Sequence, residues 1–263
     1  MAVLTSVRPD LPERLRLAAV QMGRRRGRRM GNPYDLLMAY SLKKDLVIAA
    51  PLDEASGTRR DHSGLGNHLT DNNTVTGAAG PSILIPLASQ FTRANSESLT
   101  LANNALISVA GTSFTIVGCI YPDAPVGTFN RLCGKRDAGG WEYLMALTTG
   151  VPALTLSFDA GGGNVSANAP VVSTWSYFRS WYDLVARTAN IQKNAEAVVS
   201  VAAPTDIVAN TASFQLGGAM NTQYIDGRAT FWFFWRRVLT APEWSWLYNN
   251  GSGRSLQQLM LAA

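Results

Sequence analysis

The chain has 263 residues, 46% hydrophobic and only 16% charged, with a net charge of +5. That size suits one large all-β domain with appendages, and the low charge fraction, below the ~25% usual for soluble domains, allows a sizeable core with apolar surface left for a partner. No apolar run approaches the ~18 residues of a membrane-spanning helix, the basic N-terminus does not read as a secretory signal, and two cysteines make no disulfide framework.

Charge divides the chain. Residues 1–44 hold ten Lys/Arg and three Asp/Glu, and residues 45–263 hold thirteen and fifteen. A basic arm therefore precedes a nearly neutral body, a pattern suited to docking on an acidic surface. Within the arm, Asp10 and Glu13 have capping-box spacing, with Pro12 in the first turn. Leu11, Leu15, Ala19 and Met22 then share a helical face. Arg24, Arg25, Arg26, Arg28 and Arg29 surround Gly27, and Asn32-Pro33 opens a second short helix over 34–40. The arginines and the Leu11/Leu15/Met22 face are candidate contacts to a partner. Nucleic acid is the weaker candidate, because no aromatics interleave the arginines for base stacking.

The body begins near Leu46 with a strand over 46–54. A turn-rich stretch, 56–80, follows. Strands are then expected at 90–92, 98–101, 113–121, 131–134, 142–147, 153–158, 175–183, 189–193, 197–201, 214–217 and 229–235, with turn residues between them at sandwich-like spacing. The one convincing helix of the body is 241–248: Thr240 and Glu243 form a capping box, Pro242 sits in the first turn and Gly251 follows the end. Cys119 and Cys133, near neighbouring strands, read as free buried thiols.

Several segments in this order resemble a laminin G-like domain, the concanavalin A-like jelly roll. They are Pro51-Leu52-Asp53-Glu54 with Asp61-His62-Ser63-Gly64, Gln90-Phe91 with Ser98-Leu99, Ser113-Phe114-Thr115-Ile116, Trp175 with Trp181-Tyr182-Asp183, and Tyr224-Ile225-Asp226-Gly227-Arg228 leading to Phe231–Trp235 and the capped helix. The resemblance spans about 46–254. It implies two antiparallel sheets packed face to face, with 1–45 as arm and 255–263 as tail. It implies little about function, since the fold hosts lectins, glucanases, adhesion modules and virion proteins.

Two departures from a half-wet sheet bear on partners. Simple alternation along 229–235 puts Thr230, Trp232 and Phe234 on one face and Phe231, Phe233 and Trp235 on the other, so both faces are apolar. The second face needs a cover: the chain's own arm or terminal helix, or a neighbouring subunit. Trp246 lies off the stripe made by Trp244, Leu247 and Tyr248. Phe231, Phe233 and Trp246 are thus candidate interface anchors.

Catalytic chemistry is not expected. The glucanases of this fold use Glu-x-Asp-x-x-Glu, which is missing, and Asp53 and Glu54 fall on opposite faces of a strand. No Gly-x-Ser-x-Gly elbow occurs. His62 and His68 are the only histidines and lack a third soft ligand for zinc. Calcium is the one cofactor left open, through Asp61, Asn67, Asp71 and Asn73, which also read as plain turn formers. Trp141 beside Glu142, after Gly139-Gly140, is the best pairing of an aromatic with a polar group for a sugar. Two readings follow. One is a virion structural protein, such as a bacteriophage capsid decoration protein, docked through its arm on other virion proteins and on copies of itself. The other is a carbohydrate-binding module or tail adhesin for a surface glycan.

Overall fold

The computed structural model describes residues 33–123, 130–137, 140–148, 153–158, 164–203, 207–218 and 223–260. Among the described residues, fifteen strands form two antiparallel sheets packed as a sandwich. The first sheet runs β13 (Val199–Ala202), β12 (Thr188–Lys193), β11 (Ser176–Asp183), β6 (Phe114–Pro122), β15 (Gly227–Trp235), β4 (Ile85–Phe91) and β3 (Thr76–Ser82), with β1 (Leu46–Ala50) also paired to β15. The second runs β10 (Val165–Asn168), β9 (Ala153–Ser157), β8 (Gly140–Thr148), β7 (Asn130–Asp137), β14 (Phe214–Leu216), β5 (Ser98–Leu101) and β2 (Thr70–Asn72). Phe114, Ile116, Trp232 and Phe234 of the first sheet meet Tyr143, Met145, Leu154 and Leu156 of the second in the core between them. Cys133 belongs to this core and Cys119 to the opposite face of the first sheet. Both are free, and burial pushes both thiols up, which keeps them protonated and inert.

A layer of helices covers part of the first sheet's outer face. Helix α1 (Pro33–Lys43), helix α2 (Ala241–Tyr248) and helix α3 (Leu256–Met260) contribute Ala39, Leu42, Trp244, Trp246, Leu247 and Leu259 to a second apolar cluster with Ala49, Val117, Tyr177, Phe231, Phe233 and Trp235. The cover of the second apolar face is therefore the chain itself. Trp235 Nε1 donates to the Leu42 carbonyl at 2.6 Å, and Trp246 Nε1 to Asp35 Oδ1 at 2.7 Å. The Arg254 guanidinium lies 4.8 Å from the Trp246 ring. This corrects the expectation that Phe231, Phe233 and Trp246 anchor a subunit. They are 2%, 0% and 4% exposed within the single chain. Helix α1, which the sequence reading assigned to the arm, is part of the body's packing. The candidates Leu11, Leu15, Met22 and Arg24, Arg25, Arg26, Arg28 and Arg29 lie outside the described residues.

Helices α1 and α2 are joined by charge. Arg237 forks onto Glu243, with Nη1 to Oε2 at 2.9 Å and Nη2 to Oε1 at 2.7 Å, and Nη2 also reaches the Ser41 carbonyl at 2.8 Å. Ser41 Oγ donates to the same carboxylate at 2.6 Å. Burial alone would raise the Glu243 pKa, but the donors Arg237, Ser41 and the Thr240 backbone, with the Arg237 charge, hold it at about 2. The expected capping box at Thr240 and Glu243 is present.

One detail of β15 differs from simple alternation. Thr230 pairs with Cys119 and Phe233 with Val117, so three steps on β15 oppose two on β6. Phe231 takes up this bulge with φ at +57°, a left-handed conformation costing a bulky residue roughly 1–2 kcal/mol. The bulge turns Thr230 to the Cys119 side of the sheet rather than to the Trp232 side. Its hydroxyl there donates to the Pro51 carbonyl at 2.7 Å. Opposite the bulge, a Cβ on Gly118 would lie 2.6 Å from the Trp232 ring, so only glycine admits that side chain.

Candidate functional site

Toward the start of β15 the outer face carries a different set of side chains. Register places Arg228 between Gln90 of β4 and Tyr121 of β6. Ser176 pairs with Ile120, so Trp175, one residue earlier, comes beside Tyr121. Their ring centroids are 5.4 Å apart and the planes 56° apart. Gln90, Arg228, Tyr121 and Trp175 thus form one row across four strands, each side chain half-buried. The row spans three strand spacings, roughly 14 Å. The Asp226-Gly227-Arg228 turn makes it compact, because a Cβ at Gly227 would lie 2.5 Å from the Tyr121 carbonyl oxygen.

The polar half of the row is preorganised. Arg228 Nε donates to Gln90 Oε1 at 3.1 Å, and Gln90 Nε2 donates to Asp123 Oδ2 at 2.7 Å. Arg228 Nη2 lies 3.4 Å from Asp123 Oδ1, and the guanidinium stands 4.6 Å from the Tyr121 ring. The charge of Arg228 is therefore matched locally by Asp123. Beside the row, Tyr121, Asn130, Asp226 and Arg228 line a narrow crevice above Leu132 and Leu147, with room for about one water molecule. Aromatic planes next to fixed donors and acceptors suit a polyhydroxylated ligand: a ring face stacks while hydroxyls exchange hydrogen bonds.

The residues singled out from sequence fare differently. Glu142 is fully buried and pairs with Lys135, also fully buried, at 2.8 Å. The carboxylate further accepts from Ser108 Oγ and from the backbone N–H groups of Val109, Ala110 and Asn210. A bulge in β8 between the partners of Lys135 and Arg136 turns it inward. It is a structural ion pair and not a sugar contact, which corrects the Trp141/Glu142 pairing. Trp141 stays half-buried on the other side of the strand, 5.2 Å from the Arg136 guanidinium.

Asp61 and Asp71 are likewise occupied. Asp61 accepts from the backbone N–H of Ala49, Ser63 and Asn67 and from Ser63 Oγ. Asp71 accepts from Gly57 N–H and Val75 N–H. Asn67 spends its amide on the Val47 carbonyl and on Asn104. Asp61 and Asn67 hold their loop to β1, and Asp71 ties Gly57 to Val75, so these groups serve as turn formers with their oxygens already engaged. Among the described residues, no three His, Cys, Asp or Glu side chains gather as a metal site, and no helix is long and apolar enough to cross a membrane.

Sequence reading alone missed the row. Its members lie at 90, 121, 175 and 228, and only the strand register brings them together.

No family profile and no curated protein matches the chain. Solved structures do match its fold. The binding domain of Paraclostridial Mosquitocidal Protein 1 superposes with a TM-score of 0.62 at 17% identity, over 80% of this chain and 53% of that one. A botulinum neurotoxin type C structure, described by a cell entry that depends on two ganglioside molecules, gives 0.60 at 8% identity, over 80% and 52%. Domain 4 of an extracellular arabinanase from Geobacillus stearothermophilus, in complex with arabinotriose, gives 0.53 at 14% identity, over 80% and 98%. The chain thus spans about half the length of the toxin domains and nearly all of the arabinanase domain. At these identities the likeness establishes the two-sheet sandwich, a fold shared with binding domains.

Proposed function

We propose that this chain is a non-catalytic glycan-binding module, and that the row Gln90–Arg228–Tyr121–Trp175 with Asp123 is where it grips the sugar. The observation that carries this reading is the row itself: two tilted aromatic rings beside a closed donor–acceptor network, left half-exposed on a sheet whose outward Phe231, Phe233 and Trp235 lie beneath helices. With Arg228 matched by Asp123, the ligand is a neutral oligosaccharide, and the length of the row suits more than one sugar unit. The ganglioside-dependent toxin and the arabinotriose-bound domain support the reading as examples of glycan recognition on this architecture.

The virion reading, with docking through Arg24–Arg29 and a location in a phage particle, loses its proposed aromatic anchors, which lie inside the fold, and keeps the basic N-terminal segment and the low charge fraction as its support. The compared structures above lend it no support. A glycan array probed with the chain and with Tyr121→Ala tests the proposal. Binding to neutral oligosaccharides that the variant loses is the expected result. An array blank for neutral glycans, or one unchanged by the variant, overturns it.

A further inference from the structure

The edge of a sheet is a row of main-chain N–H and C=O groups with one free side, which proteins blunt with charge, proline, brevity or a covering segment. Among the described residues the sandwich has four such edges: β3 and β13 on the first sheet, β2 and β10 on the second. Three of them are blunted. Strand β3 carries Pro81, and the Ala55 carbonyl of the same chain accepts the Gly77 N–H at 2.7 Å. Strand β2 is three residues long with Asp71 at its centre. Strand β10 is four residues long, stops ahead of Pro170 and packs beneath β12 and β13.

Strand β13 lacks this protection. The run Ala197-Val198-Val199-Ser200-Val201-Ala202-Ala203 contains no charge and no proline. All of it is exposed except half-buried Val201 and Ala203, and Val198 and Val199 stand 44% and 39% exposed. β-branched residues favour the strand conformation that pairing needs. The register with β12 sets Val201 beside Ala189 and Val199 beside Ile191, both core residues, so the hairpin is held firmly from its inner side. Among the described residues, β12 is the only strand paired with it.

The charges near this edge sit at its two ends and differ in sign. At the β12–β13 turn the outermost group is Glu196, whose side chain is 42% exposed; its partner Lys193, at 3.0 Å, is only 8% exposed. At the other end the Ala203 N–H donates to the Arg187 carbonyl at 3.0 Å, which places exposed Arg187 there. Asp183, in the same turn, is half-buried and accepts from the N–H groups of Val185 and Ala186.

We propose that the β13 edge is the contact surface for a second copy of this chain, joined strand to strand in antiparallel fashion about a two-fold axis. Such an arrangement uses the same patch on both copies. The uncharged middle of each edge meets its equal without like-charge repulsion, and Glu196 of each copy comes to the end where the other carries Arg187. The ladder is roughly 20 Å long, a small contact, so the dimer is weak and forms at high protein concentration.

Sedimentation velocity over micromolar to millimolar protein, with hydrogen exchange at both extremes, tests this. The expected result is a dimer that grows with concentration while amides within 198–203 exchange more slowly. Val198→Lys with Ser200→Lys places like charges across the contact and should leave a monomer with the parent melting temperature. Glu196→Arg, at an exposed turn position, should weaken the dimer about tenfold or more, and adding Arg187→Glu should restore it; this pair decides the matter if the lysine variant fails to fold. A monomer at every concentration, a dimer unaffected by the lysine pair or by Glu196→Arg, no restoration by the charge swap, or unchanged exchange within 198–203 overturns the proposal. None of these outcomes bears on the glycan reading of the row, which Tyr121→Ala tests separately.

Discussion

Strand β15 shows two regions built from similar residues with opposite fates. In its second half, Phe231, Phe233 and Trp235 face outward and are sealed under α1, α2 and α3. In its first half, Arg228 faces outward beside Tyr121 and Trp175, half-buried and uncovered. Aromatic residues on the same face of the same sheet are thus core in one place and candidate ligand platform in the other. The composition of the strand does not decide between them; the covering helices do. Each aromatic under the helices has a mate in the chain, while the row keeps its aromatics with a closed polar network.

Substitutions should separate the two regions. The largest effect is expected from Trp235→Ala, which empties a fully buried site and breaks the hydrogen bond to Leu42. It should cost ~3–5 kcal/mol, read as a shift in urea midpoint. Next is the tie between the helices. Glu243 has a folded pKa of about 2, below its ordinary value of 4.5. A depressed carboxylate contributes stability above its unfolded pKa and loses it as pH falls through the folded one. Stability should therefore decline between about pH 5 and pH 2 by on the order of 2–3 kcal/mol, and Glu243→Gln should flatten that part of the profile. Gly118→Ala is third: the methyl group would press on Trp232 opposite the bulge and should cost ~1–3 kcal/mol. The smallest effect on stability is expected from Trp175→Ala, about 0.5 kcal/mol or somewhat more, because the ring is only half-buried.

Much of the fold was legible in sequence where local signals agree with the tertiary structure. The strand at 98–101 and the helix at 241–248 match their expected bounds, the latter because Thr240, Pro242 and Glu243 encode its start. Strand β3, with the sequence TGAAGPS, was hidden among its turn residues: it is an edge strand held by pairing with β4 and not by side-chain burial. Helix α3 was hidden as tail, although Ser255 and Gln258 cap one another at its start and could have marked it. The bulge at Phe231 defeats alternation because one extra residue reverses the phase of the strand. Of the candidate site, the Asp226-Gly227-Arg228 turn was visible, but its partners depend on pairing among strands far apart in the chain. The buried Lys135–Glu142 pair was unreadable for the same reason: a bulge decides which way Glu142 points.

The most direct test is a paired measurement on Trp175→Ala: calorimetric affinity for a neutral oligosaccharide selected on the array, and the urea midpoint of the same preparation. The account predicts affinity reduced by about tenfold or more, as for loss of a stacking contact, with a midpoint close to that of the parent chain. Unchanged affinity, or a midpoint lowered as far as in Trp235→Ala, would place Trp175 with the covered aromatics and contradict the assignment of the row as the binding surface.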